Sequence, residues 1–246
     1  MTSSTPFRRL GSVVKNLKLT FQVAGVDAVL VRCGEVESLE LTQHLVQLRH
    51  AILNELESVV KEVVPAYTTL LVYYEPRLIR LYDLELAVEQ IVASTTFKDT
   101  AHNGKTIEVP VCYGGQYGPD LERVAKQAKL TPEEVISRHA DCNYTVSALG
   151  FAPGFAYLSG LPKELETPRL ASPRKKVVAG SLGIAGIQTA VYPVAGPGGW
   201  NIIGRAHQSW FDLESDPMTP VEAGDTVKFY AVSEQDFKAL ELGGQS

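Results

Sequence analysis

Apolar and polar positions alternate over Leu17-Lys18-Leu19-Thr20-Phe21-Gln22-Val23, the period of two expected of a strand with one buried face. Ala24-Gly25-Val26-Asp27 turns the chain into Ala28-Val29-Leu30-Val31-Arg32-Cys33, a second strand ended by Gly34. From Glu37 the period changes. Leu41, Leu45, Leu48, Ile52, Leu56, Val59 and Val63 recur at spacings of three and four, which predicts one long amphipathic helix stopping before Pro65. Thr68 to Tyr74 is β-branched and aromatic, hence a strand, and Glu75-Pro76 breaks it. Asp83 is placed to cap a helix carrying Leu86, Val88, Ile91 and Val92. The order ββαβα, followed by the polar run Lys98 to Lys105, predicts a small α/β sandwich over residues 1–98. Thr106 to Tyr113 then begins a new strand, which either extends the first sheet or opens a second domain.

Residues 119–139 read as a helical hairpin, with Thr131-Pro132-Glu133-Glu134 as the start of its second helix. A DNA-reading helix-turn-helix fits poorly, because Glu133 and Glu134 open the would-be recognition helix where phosphate needs the opposite sign. His139 closes that helix, where the dipole favours a cation, so a structural placement competes with a role at the mouth of a site. From Tyr144 to Ala231 the apolar stretches are short, β-rich and bounded by Gly or Pro, among them Val177-Val178-Ala179, Ser209-Trp210-Phe211 and Asp225 to Tyr230. That rhythm predicts a sandwich or closed barrel within a second domain at 99–246, ending in a short helix after Ser233. The fold class is α+β.

Charge narrows the function classes. A formal net charge of −5 speaks against general nucleic-acid binding, which needs a basic face. No apolar run approaches the roughly 20 residues that span a bilayer, and Met1 to Arg9 carries no apolar signal core, so no membrane role and a cytoplasmic location are expected. Cys33, Cys112 and Cys142 lie far apart, as reduced packing residues would, and no ligand spacing implies a metal. His44 and His50 read as ordinary helix histidines. Within residues 144–205 the balance reverses to +4: Lys163, Arg169, Arg174, Lys175, Lys176 and Arg205 face only Glu164 and Glu166. The same stretch holds ten of the 20 glycines, with Phe151, Phe155, Tyr157, Tyr192 and Trp200 between them, so it makes shaped, cationic, aromatic loops suited to a small anion or an acidic segment.

The motifs Pro110-Val111-Cys112-Tyr113-Gly114-Gly115, Gly118-Pro119-Asp120-Leu121, Gly150 to Leu158, Ser172-Pro173-Arg174, Ala179-Gly180-Ser181, Tyr192-Pro193 and Pro197-Gly198-Gly199-Trp200 stand in one register. In these the chain resembles the allophanate hydrolase subunit 1 family, which includes the B subunit of bacterial 5-oxoprolinase and the sporulation-kinase inhibitor of bacilli. It departs from the family's pattern at Val178, commonly proline, and at Ala206-His207, commonly Thr-Pro. The resemblance implies a small N-terminal α/β domain and a C-terminal cyclophilin-like β-barrel. It further implies a subunit of an ATP-dependent 5-oxoprolinase, inactive alone, working with a sister subunit like allophanate hydrolase subunit 2 and with a third metabolic subunit. ATP with Mg would then be shared with those partners, with no cofactor bound covalently. A regulator of a sensor histidine kinase and a subunit associated with urea carboxylase or allophanate hydrolase are the alternatives.

No P-loop is present, and Ser181 lacks the Gly-x-Ser-x-Gly spacing of a nucleophile elbow, so the catalytic residues stay unassigned with His139 and Ser181 as candidates. Arg169 and Arg174, each after a proline, suit bidentate carboxylate or phosphate recognition. Gln188 suits an amide or lactam, and Tyr144, Phe155, Tyr157 and Trp200 would exclude water around it. Against this stands the reading of the aromatics as barrel core, which is the favoured one for any single ring, and of the arginines as partners of Glu164, Glu166 or Asp216, which is not.

Overall fold

A computed structural model describes residues 19–97 and 104–243. Met1 to Arg9, Leu17, Lys18 and Lys98 to Asn103 lie outside the described residues. The chain divides into two compact units, meeting in sequence between Asp99 and Thr100.

The first unit runs β1 (Thr20–Val23), β2 (Ala28–Arg32), α1 (Leu39–Glu55), β3 (Val60–Ala66), β4 (Thr69–Tyr74) and α2 (Leu81–Ser94). Its strands pair antiparallel in the order β1-β2-β4-β3. Leu45, Leu48 and Ile52 of α1 and Leu84, Val88 and Ile91 of α2 bury the helices' apolar stripes among Val29, Val31, Val63, Leu70 and Val72. Each such side chain contributes about 1.5–3 kcal/mol when removed from water. Ser38 caps α1, its hydroxyl accepting from Leu41 N–H at 3.1 Å.

Two expectations fail in this unit. The helix ends at Glu55, and Val60–Ala66 is a strand, which makes the order ββαββα. A bulge between Val60 and Glu62 puts Val60, Val63 and Pro65 on the buried side, so the strand lacks a clean period of two while Val59 and Val63 fall in step with the helical stripe. The valines are β-branched and gain a ladder with β4, which outweighs the weak helical pattern. Asp83 lies inside the first turn of α2 instead of capping it, and pairs with Arg80 at 2.7 Å.

The second unit begins with β5 (Thr106–Tyr113), the helical hairpin α3 (Leu121–Ala128) and α4 (Pro132–Ala140), then β6 (Asn143–Leu149) and β7 (Ala156–Ser159). There follow β8 (Arg174–Val177), β9 (Ser181–Ala185), β10 (Gln188–Val191), β11 (Gly196–Gly198), β12 (Asn201–Ala206), β13 (Thr226–Ala231) and α5 (Glu234–Gly243). Seven strands close into a barrel in the order β6-β13-β5-β12-β9-β10-β7 and back to β6. Neighbouring barrel strands run antiparallel except β13 and β5, which are parallel. β8 and β11 form a separate two-stranded ribbon.

Tyr144, Val146, Leu158, Ile184, Ile203, Val227 and Phe229 fill the barrel, and Leu121, Val124 and Val135 of the hairpin join the same core. The Thr131-Glu134 pair forms a reciprocal capping box with Pro132 behind it, as the sequence signature predicts. Ser209-Trp210-Phe211 is not a strand: Trp210 is a loop residue, 1% exposed, anchored in the core. The α+β class with a closed barrel is thus borne out, with five α-helices among the described residues. None of the described helices is long and apolar enough to cross a membrane. All three cysteines are free, and burial pushes the Cys33 thiol up to about 12.

Candidate functional site

The connection from β6 to β7 is Gly150-Phe151-Ala152-Pro153-Gly154-Phe155. Phe155 N–H donates to Ala152 O at 2.9 Å, and Gly150 N–H to Phe155 O at 3.1 Å, which closes the turn. Gly154 has φ +76°, and a Cβ on it would strike the Trp210 carbonyl, so only glycine lets this loop lie on the Trp210 backbone. Phe151 takes φ +74°, a conformation that costs a side-chain-bearing residue about 1–2 kcal/mol. Its ring is nonetheless 71% exposed and meets Phe155 edge-on at 5.3 Å.

Phe155 is the centre of an aromatic cluster. Tyr157, Tyr192 and Trp200 stand edge-on to it, with ring centroids 4.9, 5.4 and 5.6 Å away. These rings wall a cavity of about 230 Å³, completed by Arg169, Pro173, Pro197 and Gly198 of β11 and the following Gly199. A Cβ on Gly198 would collide with the Tyr192 hydroxyl, so this glycine admits the phenol to the wall. Burial pushes the Tyr192 hydroxyl's pKa up, partly offset by a backbone hydrogen bond with Trp200 and the nearby positive charge of Arg169, so it stays a neutral donor at pH 7. Arg169 is exposed, and no described acidic side chain lies within ion-pair distance of it. The site therefore offers an apolar slot, the two phenols of Tyr157 and Tyr192, and one cation.

Of the residues expected at a site, the cavity brings together Phe155, Tyr157, Arg169 and Trp200. The aromatics are core and wall at once: Phe155 is 1% and Trp200 5% exposed. Arg174 instead donates through Nη2 to Asp120 at 2.7 Å, so its partner is none of the three acids expected from sequence. Gln188 opens β10 opposite Ala185 and does not line the cavity. Tyr144 is buried in the barrel and donates its hydroxyl to His139 O at 2.8 Å. Ser181 is 4% exposed at the start of β9.

His139 is not a cation at a helix end. It is fully buried, and burial pushes its imidazole down to about 3. Thr189 Oγ1 donates to Gly183 O at 3.0 Å, so it accepts from His139 Nε2–H at 3.0 Å, and Nδ1 accepts from the Tyr113 hydroxyl at 2.9 Å. Both ring nitrogens are engaged, which leaves none to serve Ser181 as a base. Phe151 and Tyr192 also line the cavity; the sequence places them among the aromatics of the cationic loops but not among the substrate contacts. Their signal lies in the Gly-Phe-Ala-Pro-Gly and Tyr-Pro motifs, but nothing in it says that these meet Trp200.

Fold and site define a class: a two-unit α+β protein whose closed barrel presents a small, aromatic, arginine-rimmed cavity built from loops. A model of the carboxyltransferase domain, subdomains C and D, matches residues 19–221. The chain belongs to that family. It is 40% identical over 235 residues to the B subunit of 5-oxoprolinase from Bacillus subtilis (strain 168), covering 88% of this chain and 94% of that protein. The crystal structure of TTHA0988 superposes with TM-score 0.72 at 31% identity over 84% of this chain, which spans only 40% of that longer one. Kluyveromyces lactis urea carboxylase matches with TM-score 0.75 at 18% identity, over 92% of this chain and 23% of that one, a likeness of fold alone. The family resemblance read from the motifs is thereby borne out.

Proposed function

We propose that this chain is a subunit of an ATP-dependent 5-oxoprolinase, which opens 5-oxoproline to L-glutamate together with a sister subunit like allophanate hydrolase subunit 2. The observation that carries the reading is the cavity. A five-membered lactam with one carboxylate matches its size, its apolar walls and its single rim cation. Arg169 pairs with the carboxylate, Phe155, Tyr157 and Trp200 flank the ring, and the neutral Tyr192 hydroxyl donates to the lactam oxygen. The near-full-length likeness to a protein named as the B subunit of 5-oxoprolinase supports the same substrate.

The cavity does not fit a nucleotide. About 230 Å³ is below the 300–1,000 Å³ usual for drug-sized ligands, and no carboxylate among the described residues lines the cavity to share a Mg ion with a phosphate. We therefore assign ATP and Mg to the partner subunits and this chain to substrate binding. Reconstitution tests this: glutamate and phosphate release from 5-oxoproline and ATP, with each subunit omitted in turn. Glutamate appearing only when this chain and its sister are both present is the expected result. Full turnover by the partners alone would overturn the reading.

A further inference from the structure

Asp120 stands at the N-cap position of α3 but makes no capping bond there. An aspartate in that place ordinarily caps its helix by accepting from a first-turn N–H, so the carboxylate has been turned to another use. Oδ2 accepts from Ile202 N–H at 2.7 Å and Oδ1 from Arg174 Nη2 at 2.7 Å, with Asp120 only 7% exposed. Arg174 Nη1 in turn reaches Trp200 O at 3.4 Å. The next residue along β12, Asn201, is fully buried. Its Nδ2 donates to Pro168 O and to Ile184 O, both at 3.0 Å, while Oδ1 accepts from Arg123 Nε at 2.9 Å. Polar clamps thus flank Trp200 and hold the residue before Arg169.

We propose that Asp120, acting through Arg174, is a positioning residue of the aromatic cavity: it sets the Trp200 wall, while Asn201 holds the backbone from which Arg169 projects. Arg174 then does not touch the ligand. This rests on the cavity being the 5-oxoproline site, and the test separates the two. A buried carboxylate that loses its cation, or a partly buried guanidinium that loses its anion, releases the same wall, so the two single changes must act as one.

The full chain labelled with 5-fluorotryptophan gives one 19F resonance from Trp200 and one from Trp210, the two tryptophans present, with core-bound Trp210 as the control for an intact fold. Asp120→Asn, Arg174→Gln and the double variant are compared with wild type. With Trp210 unmoved, each single change should raise the solvent isotope shift of Trp200 and weaken 5-oxoproline binding about tenfold, and the double variant should be no weaker than either. A Trp200 shift unchanged in Asp120→Asn would overturn the proposal. So would additive losses, or a loss in Arg174→Gln far larger than in Asp120→Asn, since either means that Arg174 contacts the ligand. Failure of wild type to bind 5-oxoproline would remove the substrate assignment alone, because the isotope shifts judge the clamp without ligand.

Discussion

His139 can take up a second proton only when the barrel opens, because Tyr113 and Thr189 occupy both nitrogens inside an apolar core. Its folded value near 3 lies below the ordinary 6.5 or so, so across that window the unfolded chain binds more protons. Stability from this group is therefore full above about pH 6.5 and lost as pH falls toward 3. Between pH 7 and pH 5 it removes about 2 kcal/mol, and urea unfolding of His139→Gln should show a slope against pH shallower by that amount. Equal slopes would contradict the buried neutral imidazole. The sequence shows a histidine closing a helix but cannot show what the barrel wraps around it. Arg174 misleads for the same reason: Asp120 lies 54 residues away, and only the fold makes them neighbours.

At the scale of elements, strong local chemistry is legible. The strands β1 and β2 and the start of α4 at Thr131 depend on nearby residues and appear where the pattern places them. The missed strand β3 is a local pattern spoiled by a bulge, and the circular strand order depends on pairings far apart in the chain. The β6–β7 loop lies between these cases, its glycines visible but their contacts not. Gly154→Ala meets both a positive φ and the Trp210 carbonyl, whereas Gly186→Ala meets a positive φ of 56° in open space. Thermal unfolding should show Gly186→Ala costing about 1 kcal/mol and Gly154→Ala about 2–4 kcal/mol, with the near-ultraviolet circular dichroism of the aromatic cluster altered only in the second. Equal costs would mean that the loop does not rest on Trp210.

The whole molecule carries a net −5, while residues 144–205, which supply the cavity wall, carry +4 because they hold only two acids. Such a distribution draws a small anion to one place while leaving the remaining surface acidic. The fold class and the aromatic loops follow from the sequence, and the family model and relatives agree with its motifs. The proposed division of labour with partner subunits is not legible there, because it rests on the size and lining of a cavity that only the fold assembles. The central claim is that the carboxylate of 5-oxoproline is held by Arg169. Steady-state turnover of the reconstituted complex carrying Arg169→Gln tests it most directly: kcat/KM for 5-oxoproline should fall by about ten- to a hundredfold, as loss of a charge-assisted hydrogen bond predicts, whereas a complex with unchanged kcat/KM would place the substrate elsewhere.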